Sequence, residues 1–202
     1  MKKIISSMLV VGALATSATA YQRAGIDFGF GTNNALSFDL YYKNYNDYDG
    51  FVYKGNFKYS KLEQNYWIDK YEWSAMEIGG LFGKAYHLPI GTIDGGLNVL
   101  GGGHFQTWKS KWKGSGSVTE YDYSGFGVKG GVNYSAFINE QIMLAGNIFL
   151  NIDFGDISGT YLTTSVEGSY KFTPNLYANL KIGYEGTYID SSGIYLGIGY
   201  EF

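Results

Sequence analysis

The chain has two histidines, His87 and His104, and no cysteine. A histidine with a serine and a carboxylate in reach would serve acyl transfer or hydrolysis. His104 is followed by Phe105 and Gln106, so no serine stands two positions on, and Ser110, Ser115 and Ser117 fall in a polar stretch. His87 neighbours Pro89 at a turn. No thiolate, metal-ligand spacing, phosphate loop or nucleotide fingerprint is present. Gly101-Gly102-Gly103 sits inside an alternating segment, where it reads as a kink or a crowded interior. The expectation is therefore no catalytic residue, no metal and no cofactor, with His104 a hydrogen-bonding residue.

The more informative charges recur at alternate positions. Asp27, Asp39, Glu77, Asp94, Asp153, Glu167, Glu185 and Glu201 share the polar side of period-two segments with Lys43, Lys54, Lys58, Lys129, Lys171 and Lys181. Gly, Ser and Asn fill the positions between them. Near-balance of sign predicts ion pairs across a narrow interior rather than a single-sign selectivity ring. Tyr41, Trp73, Tyr177 and Tyr195 fall on the same side and would narrow it further.

The elements that must carry these residues are strands. Alternation predicts ten of them, near 22–31, 35–45, 51–61, 71–84, 91–108, 121–137, 141–154, 160–172, 176–188 and 193–202. Eight remain possible if a weak pair merges. Ile26, Phe28 and Phe30 make the apolar side of the first, and Ile142, Leu144, Ile148, Leu150 and Ile152 that of the seventh. No stretch after residue 20 is apolar for long enough to cross a bilayer as a helix. A bilayer-spanning chain of this kind must be a closed barrel, because every backbone polar group needs a partner there. An exposed belt of Ile, Leu, Phe and Tyr would be an untenable patch in water, and the Gly-rich polar side is the one that fits inside a small barrel. The fold class expected is all-β: a closed antiparallel up-and-down transmembrane barrel. Its connections alternate between tight turns and two longer polar pieces, Leu62–Lys70 and Lys109–Glu120, read as outer loops.

Both ends of the sequence bear on its destination. Lys2 and Lys3, an apolar run over 4–15 and Ala18-Thr19-Ala20 make a secretory leader. This divides the chain into a leader over 1–20, cleaved after Ala20, and one barrel domain over 21–202. Of 202 residues 30 are Gly, 20 Tyr and only 2 Pro, a composition suited to strands and membrane interfaces. The formal charge of −3 argues against a nucleic-acid partner. Tyr66, Trp67, Tyr71, Trp73, Trp108, Trp112, Tyr121 and Tyr123 flank the two polar pieces, and Tyr86, Tyr170, Phe172, Tyr200 and Phe202 sit near the turn side. Together they read as two interfacial girdles. Trp108, Lys109, Lys111, Trp112 and Lys113 form a basic-aromatic stretch suited to lipopolysaccharide phosphates.

The final strand, Gly193 to Phe202, alternates strictly and stops on an aromatic residue. With the leader and the repeated alternation, it resembles the small bacterial outer-membrane β-barrels of the broad OmpA/OmpX/OmpW-like group. The motifs are generic and match no subfamily. The resemblance implies an outer-membrane location, contact with outer-membrane lipid and lipopolysaccharide, and recognition of Tyr200 and Phe202 by the barrel-assembly machinery. Three roles stay open at this point: a structural or surface-interaction barrel, a narrow porin-like channel, and a lipid-modifying enzyme acting through His104. Oligomeric state is not legible.

Overall fold

The computed structural model describes residues 21–32, 35–45, 50–66, 69–114, 117–185 and 191–202, without the side chains of Tyr21, Tyr45, Tyr66, Glu185 and Ser191. The expected leader, its cleavage site and Trp67 lie outside the described residues. Ten strands follow one another: β1 (Tyr21–Gly31), β2 (Leu36–Tyr45), β3 (Gly50–Tyr66), β4 (Asp69–His87), β5 (Asp94–Gly114), β6 (Ser117–Phe137), β7 (Ile142–Gly155), β8 (Gly159–Lys171), β9 (Leu176–Glu185) and β10 (Ser191–Glu201). Each pairs antiparallel with its sequence neighbours, and β1 pairs with β10 to close the barrel. The ten-strand expectation holds. The closing seam runs from Arg23↔Glu201 to Gly31↔Gly193. Phe202 adds its own bond, its N–H donating to the Gln22 carbonyl at 2.9 Å.

Closure leaves no sheet edge around the apolar belt, which is the condition for a β-structure to span hydrocarbon. The side chains then sort by parity. Phe28, Leu40, Ile148, Leu150, Ile182, Leu196 and Ile198 are exposed on the outside, Ile198 at 60%. Asp27, Asn151, Asn133 and Ser135 are buried within, Asn151 completely. This inside-out distribution suits a barrel solvated by lipid rather than water.

The barrel is uneven in height. β3 to β6 have 17, 19, 21 and 21 residues, whereas β1, β2, β9 and β10 have 10 or 11. The β2–β3 pairing stops at Leu36↔Lys61, and the β6–β7 pairing at Gly125↔Gly155. Beyond those points β3 to β6 pair only with one another, as in Glu63↔Glu72, Glu72↔Lys111 and Lys111↔Glu120. At about 3.3 Å per residue the extensions run roughly 15–25 Å along the strands, with no further strand neighbours among the described residues. The pieces Leu62–Lys70 and Lys109–Glu120, expected to be loops, are thus mostly strand. There they alternate charged residues with aromatic or polar ones rather than apolar with polar, so the pattern used to find strands is missing.

Glycines on the two sides of the wall do different work. An inward Cβ on Gly83 would stand 1.8 Å from the Val99 carbonyl oxygen, and one on Gly102 2.0 Å from that of Gly80. On the lipid side, a Cβ on Gly101 would meet nothing nearer than the Lys129 carbonyl at 4.0 Å. Gly102→Ala should therefore destabilise the folded barrel by about 1–3 kcal/mol through overpacking. Gly101→Ala should be neutral to within about 0.5 kcal/mol. Urea unfolding in detergent micelles, followed by heat-dependent gel mobility, checks the contrast.

Candidate functional site

The lumen gathers the charges in tiers. At the end that carries the short turns, the Glu201 carboxylate takes Arg23 Nε at 2.7 Å on one oxygen and Lys171 Nζ at 2.5 Å on the other. The Arg23 guanidinium lies 4.7 Å over the Tyr177 ring and meets the Met143 sulfur at 3.4 Å. One tier higher Lys43 pairs with Glu167 at 3.3 Å, and the Tyr41 and Tyr177 hydroxyls join at 3.0 Å. Tyr177 has no exposed surface, and its hydroxyl lies 2.2 Å from where a Cβ on Gly199 would be. The ring crosses the neighbouring strand only because that position is glycine.

In the middle, Lys181 stands 3.3 Å from Asp27 and 3.7 Å from Asp39, and Asn179 donates to Asp27 at 2.6 Å. Lys129 pairs with Glu77 at 3.4 Å. Higher still, His104 Nε2 meets Asp153 Oδ1 at 2.8 Å, Gln106 donates to Asp153 Oδ2 at 2.5 Å, and Trp108 Nε1 donates to Gln106 at 3.2 Å. A second kind of contact fills one side of the same lumen. Val52, Leu81, Ala85, Leu100 and Phe149 form a buried apolar cluster. The lumen holds a central chamber of about 120 Å³, touched by Asp39, Lys54, Lys58, Glu77, Lys129 and Lys181 among others, and a smaller cavity of about 60 Å³ towards the long strands. Lys58, Glu77 and Tyr195 border both.

Most of the residues expected inside are placed inside. Asp94 is not: it is half exposed at the short-turn rim and meets His87 Nε2 at 2.7 Å. Its parity is inward, but it opens its strand, so there is no wall opposite to enclose it. The Glu185 side chain is outside the description. Sequence reasoning misses Arg23, although its spacing from Asp27 puts it on the same face. It also misses the apolar cluster, whose members share parity with Lys54, Gly83 and Asn151. His104 keeps only 1% of its side chain exposed, with its Nε2 against Asp153.

The projecting sheet sorts its side chains too, and here the basic-aromatic group divides. Lys109, Lys111 and Lys113 share the parity of Phe105 and stand on the lipid side, above the apolar belt. Trp108 and Trp112 share the parity of His104 and Gln106 and face the barrel axis. The lysines join a ladder with carboxylates of the neighbouring strands. Lys70 reaches Glu63 at 2.9 Å and Glu72 at 2.8 Å, Lys113 reaches Glu72 at 3.0 Å, and Lys109 reaches Asp122 at 3.3 Å. Lys61–Glu63 and Lys111–Glu120 complete it. Each exposed pair alone adds little, and the sheet is held chiefly by its backbone ladders, with Glu72 shared between Lys70 of its own strand and Lys113 of β5.

Hydrogen bonds from Lys70 and then Lys113 hold the Glu72 carboxyl down at about 2, below its ordinary 4.5. A lowered carboxyl stabilises the fold above its ordinary value and loses that contribution as the pH falls through the lowered one. Amide protection beside Glu72 should therefore be unchanged at pH 5 and above and fall modestly as the pH drops from about 4.5 towards 2, while the backbone ladder keeps the sheet paired. Hydrogen exchange at 70–73 and 110–113, compared with 178–182 in the barrel wall, checks this.

No protein-family model matches the chain, and no curated protein matches it by sequence. Solved structures do share its architecture. The translocator domain of the autotransporter NalP from Neisseria meningitidis superposes with a TM-score of 0.54 at 13% identity, covering 100% of this chain and 95% of that one. A major outer membrane protein from Thermus thermophilus superposes with a TM-score of 0.52 at 10% identity, covering 91% and 99%. At such identities the likeness is one of fold: the chain has the architecture of the small bacterial outer-membrane β-barrels.

Proposed function

We propose that this chain is an integral outer-membrane barrel with a structural and surface-interaction role, whose working part is the sheet formed by the tops of β3 to β6. The observation that carries this reading is the contrast between the two ends. The lumen is tied across by ion pairs and part-filled by Val52, Leu81, Leu100 and Phe149, while four strands extend together past the rim. Barrels of about eight strands are filled by their own side chains, and open aqueous channels need about sixteen. The short-turn end is then periplasmic and the projecting sheet faces the outside. Tyr200 and Phe202, edge to face at 5.1 Å on the lipid side, are the segment offered to the assembly machinery. The partners proposed for the lysine side are lipopolysaccharide phosphates, which would draw Lys109, Lys111 and Lys113 from their carboxylates. Trp108 and Trp112 leave that contact, because they face the other way.

The second reading is a narrow channel, favoured by the central chamber and by its shared border with the outer cavity at Lys58, Glu77 and Tyr195. The third, an outer-leaflet lipid enzyme, is disfavoured by the enclosure of His104. Single-channel recording in a planar bilayer separates the first two. The scaffold reading expects no discrete openings from protein whose folding is proven by heat-dependent mobility. Reproducible openings altered by Lys58→Ala or Glu77→Ala would replace it with the channel. Lipid A modification that is lost in His104→Ala would replace it with the enzyme.

A further inference from the structure

An interfacial girdle anchors a barrel by pointing its rings at lipid headgroups. Tyr71, Trp73, Trp108, Trp112, Tyr121 and Tyr123 do not do this. They lie on the axis-facing side of β4 to β6, opposite the lysine ladder, so membrane anchoring leaves them unexplained. Their arrangement is ordered. The Tyr71 and Trp73 rings stack at 5.7 Å, Trp112 leans on Tyr71 at 6.4 Å, and Tyr121 and Tyr123 stack at 6.3 Å. Tyr121 and Tyr123 remain 54% and 40% exposed.

At the foot of this face lies the outer cavity of about 60 Å³. Trp73, Trp108 and Tyr195 make its aromatic walls, and Ser37, Ser60, Lys58, Lys61, Glu77 and Gln106 supply its polar groups. Lys58 and Glu77 are register partners on β3 and β4, so the floor presents a donor and an acceptor side by side. A site of this composition matches one class of molecule. A pyranose ring has a face of C–H groups, which the negative face of an indole or phenol ring attracts, and a rim of hydroxyls that need both donors and acceptors. A ligand of either single sign would meet a like charge there, from Glu77 or from Lys58 and Lys61, and a purely apolar one would leave Lys58 and Glu77 desolvated.

We propose that the outer mouth is a binding site for a neutral saccharide chain arriving from outside the cell, with one ring seated over the mouth of the cavity against Trp73 and Trp108 and further rings laid along Trp112, Tyr121 and Tyr123. The surrounding lipopolysaccharide is not the occupant, because these rings face away from it. The proposal rests on the surface-interaction reading only for placing this mouth outside, and it holds whether or not the lumen conducts.

The test uses the mature chain folded in detergent micelles, titrated with maltohexaose, cellohexaose and N-acetylchitohexaose while tryptophan emission is followed. Dextran sulfate serves as the anionic contrast. A saturable change with at least one neutral hexasaccharide is expected, insensitive to salt. Trp108→Ala should weaken it about tenfold. Trp108→Phe, which keeps a ring, should retain most of it, and Lys109→Gln should leave it unchanged. Gel mobility confirms that each variant is folded. Silence with all three sugars, a response to the polyanion alone, or undiminished binding by both Trp73→Ala and Trp108→Ala would overturn the proposal. The titration repeated in bilayers with and without lipopolysaccharide fixes the source: binding abolished by lipopolysaccharide would assign the site to the host lipid's own glycan. A chain silent in both the bilayer recording and the sugar titration would overturn this site and leave the scaffold reading standing.

Discussion

Everything in this molecule follows from the need to pair each backbone N–H and C=O inside a medium that offers no partners. The β1–β10 seam meets that need, because it turns ten short strands into a sheet without edges over the height of the apolar belt. Unsatisfied groups in hydrocarbon cost several kcal/mol each, so partial closure is not an option. The seam also dictates the side-chain arrangement. Once closed, a sheet has one convex and one concave face, and parity sends every second residue to lipid and the others to the axis.

The concave side is the more demanding of the two. Side chains converge there, and the chain answers with glycine where strands approach and with tyrosines laid flat across their neighbours, as Tyr177 lies over Gly199 and Tyr41 over Gly25. Most of the charges described there are paired. Glu201 uses both oxygens on cations from opposite sides of the seam, Arg23 on β1 and Lys171 on β8. Such pairs are weak evidence for stability in themselves, since desolvation offsets much of the attraction. Their effect is specificity: the cross-lumen contacts are satisfied in one register and lost in a slipped one. The same rows of side chains that fix the register also line the axis, which ties the proposed role to the folding solution.

Strand number, antiparallel order and lipid-facing sides are legible in the sequence, because the alternation of apolar and polar residues is a direct image of the two solvents. Where the solvents cease to differ, the image fades. Above the membrane Lys109-Ser110-Lys111-Trp112-Lys113 and Glu120-Tyr121-Asp122-Tyr123 still alternate, but between charge and aromatic ring, so the period survives in a different chemistry. A reading keyed to hydrophobicity takes these stretches for loops and their rings for a girdle. Inside the lumen the converse error arises. Val52, Leu81, Leu100 and Phe149 are apolar yet inward, and only parity with neighbours such as Lys54 reveals them. Asp94 shows the limit of parity itself, since an inward direction at a strand end is no guarantee of enclosure.

The central claim is the orientation of the wall, apolar side to lipid and polar side to the axis, and the absence of native cysteine makes it directly measurable. Single cysteines placed from Ala178 to Gly183 on β9, labelled with a nitroxide in lipid bilayers, would report contact with oxygen dissolved in the lipid. Labels at 180 and 182 should collide freely with oxygen, and those at 179 and 181 should be shielded from it. High oxygen contact at 179 and 181 with shielding at 180 and 182 would contradict the orientation, and with it the assignment of every lumen residue described above.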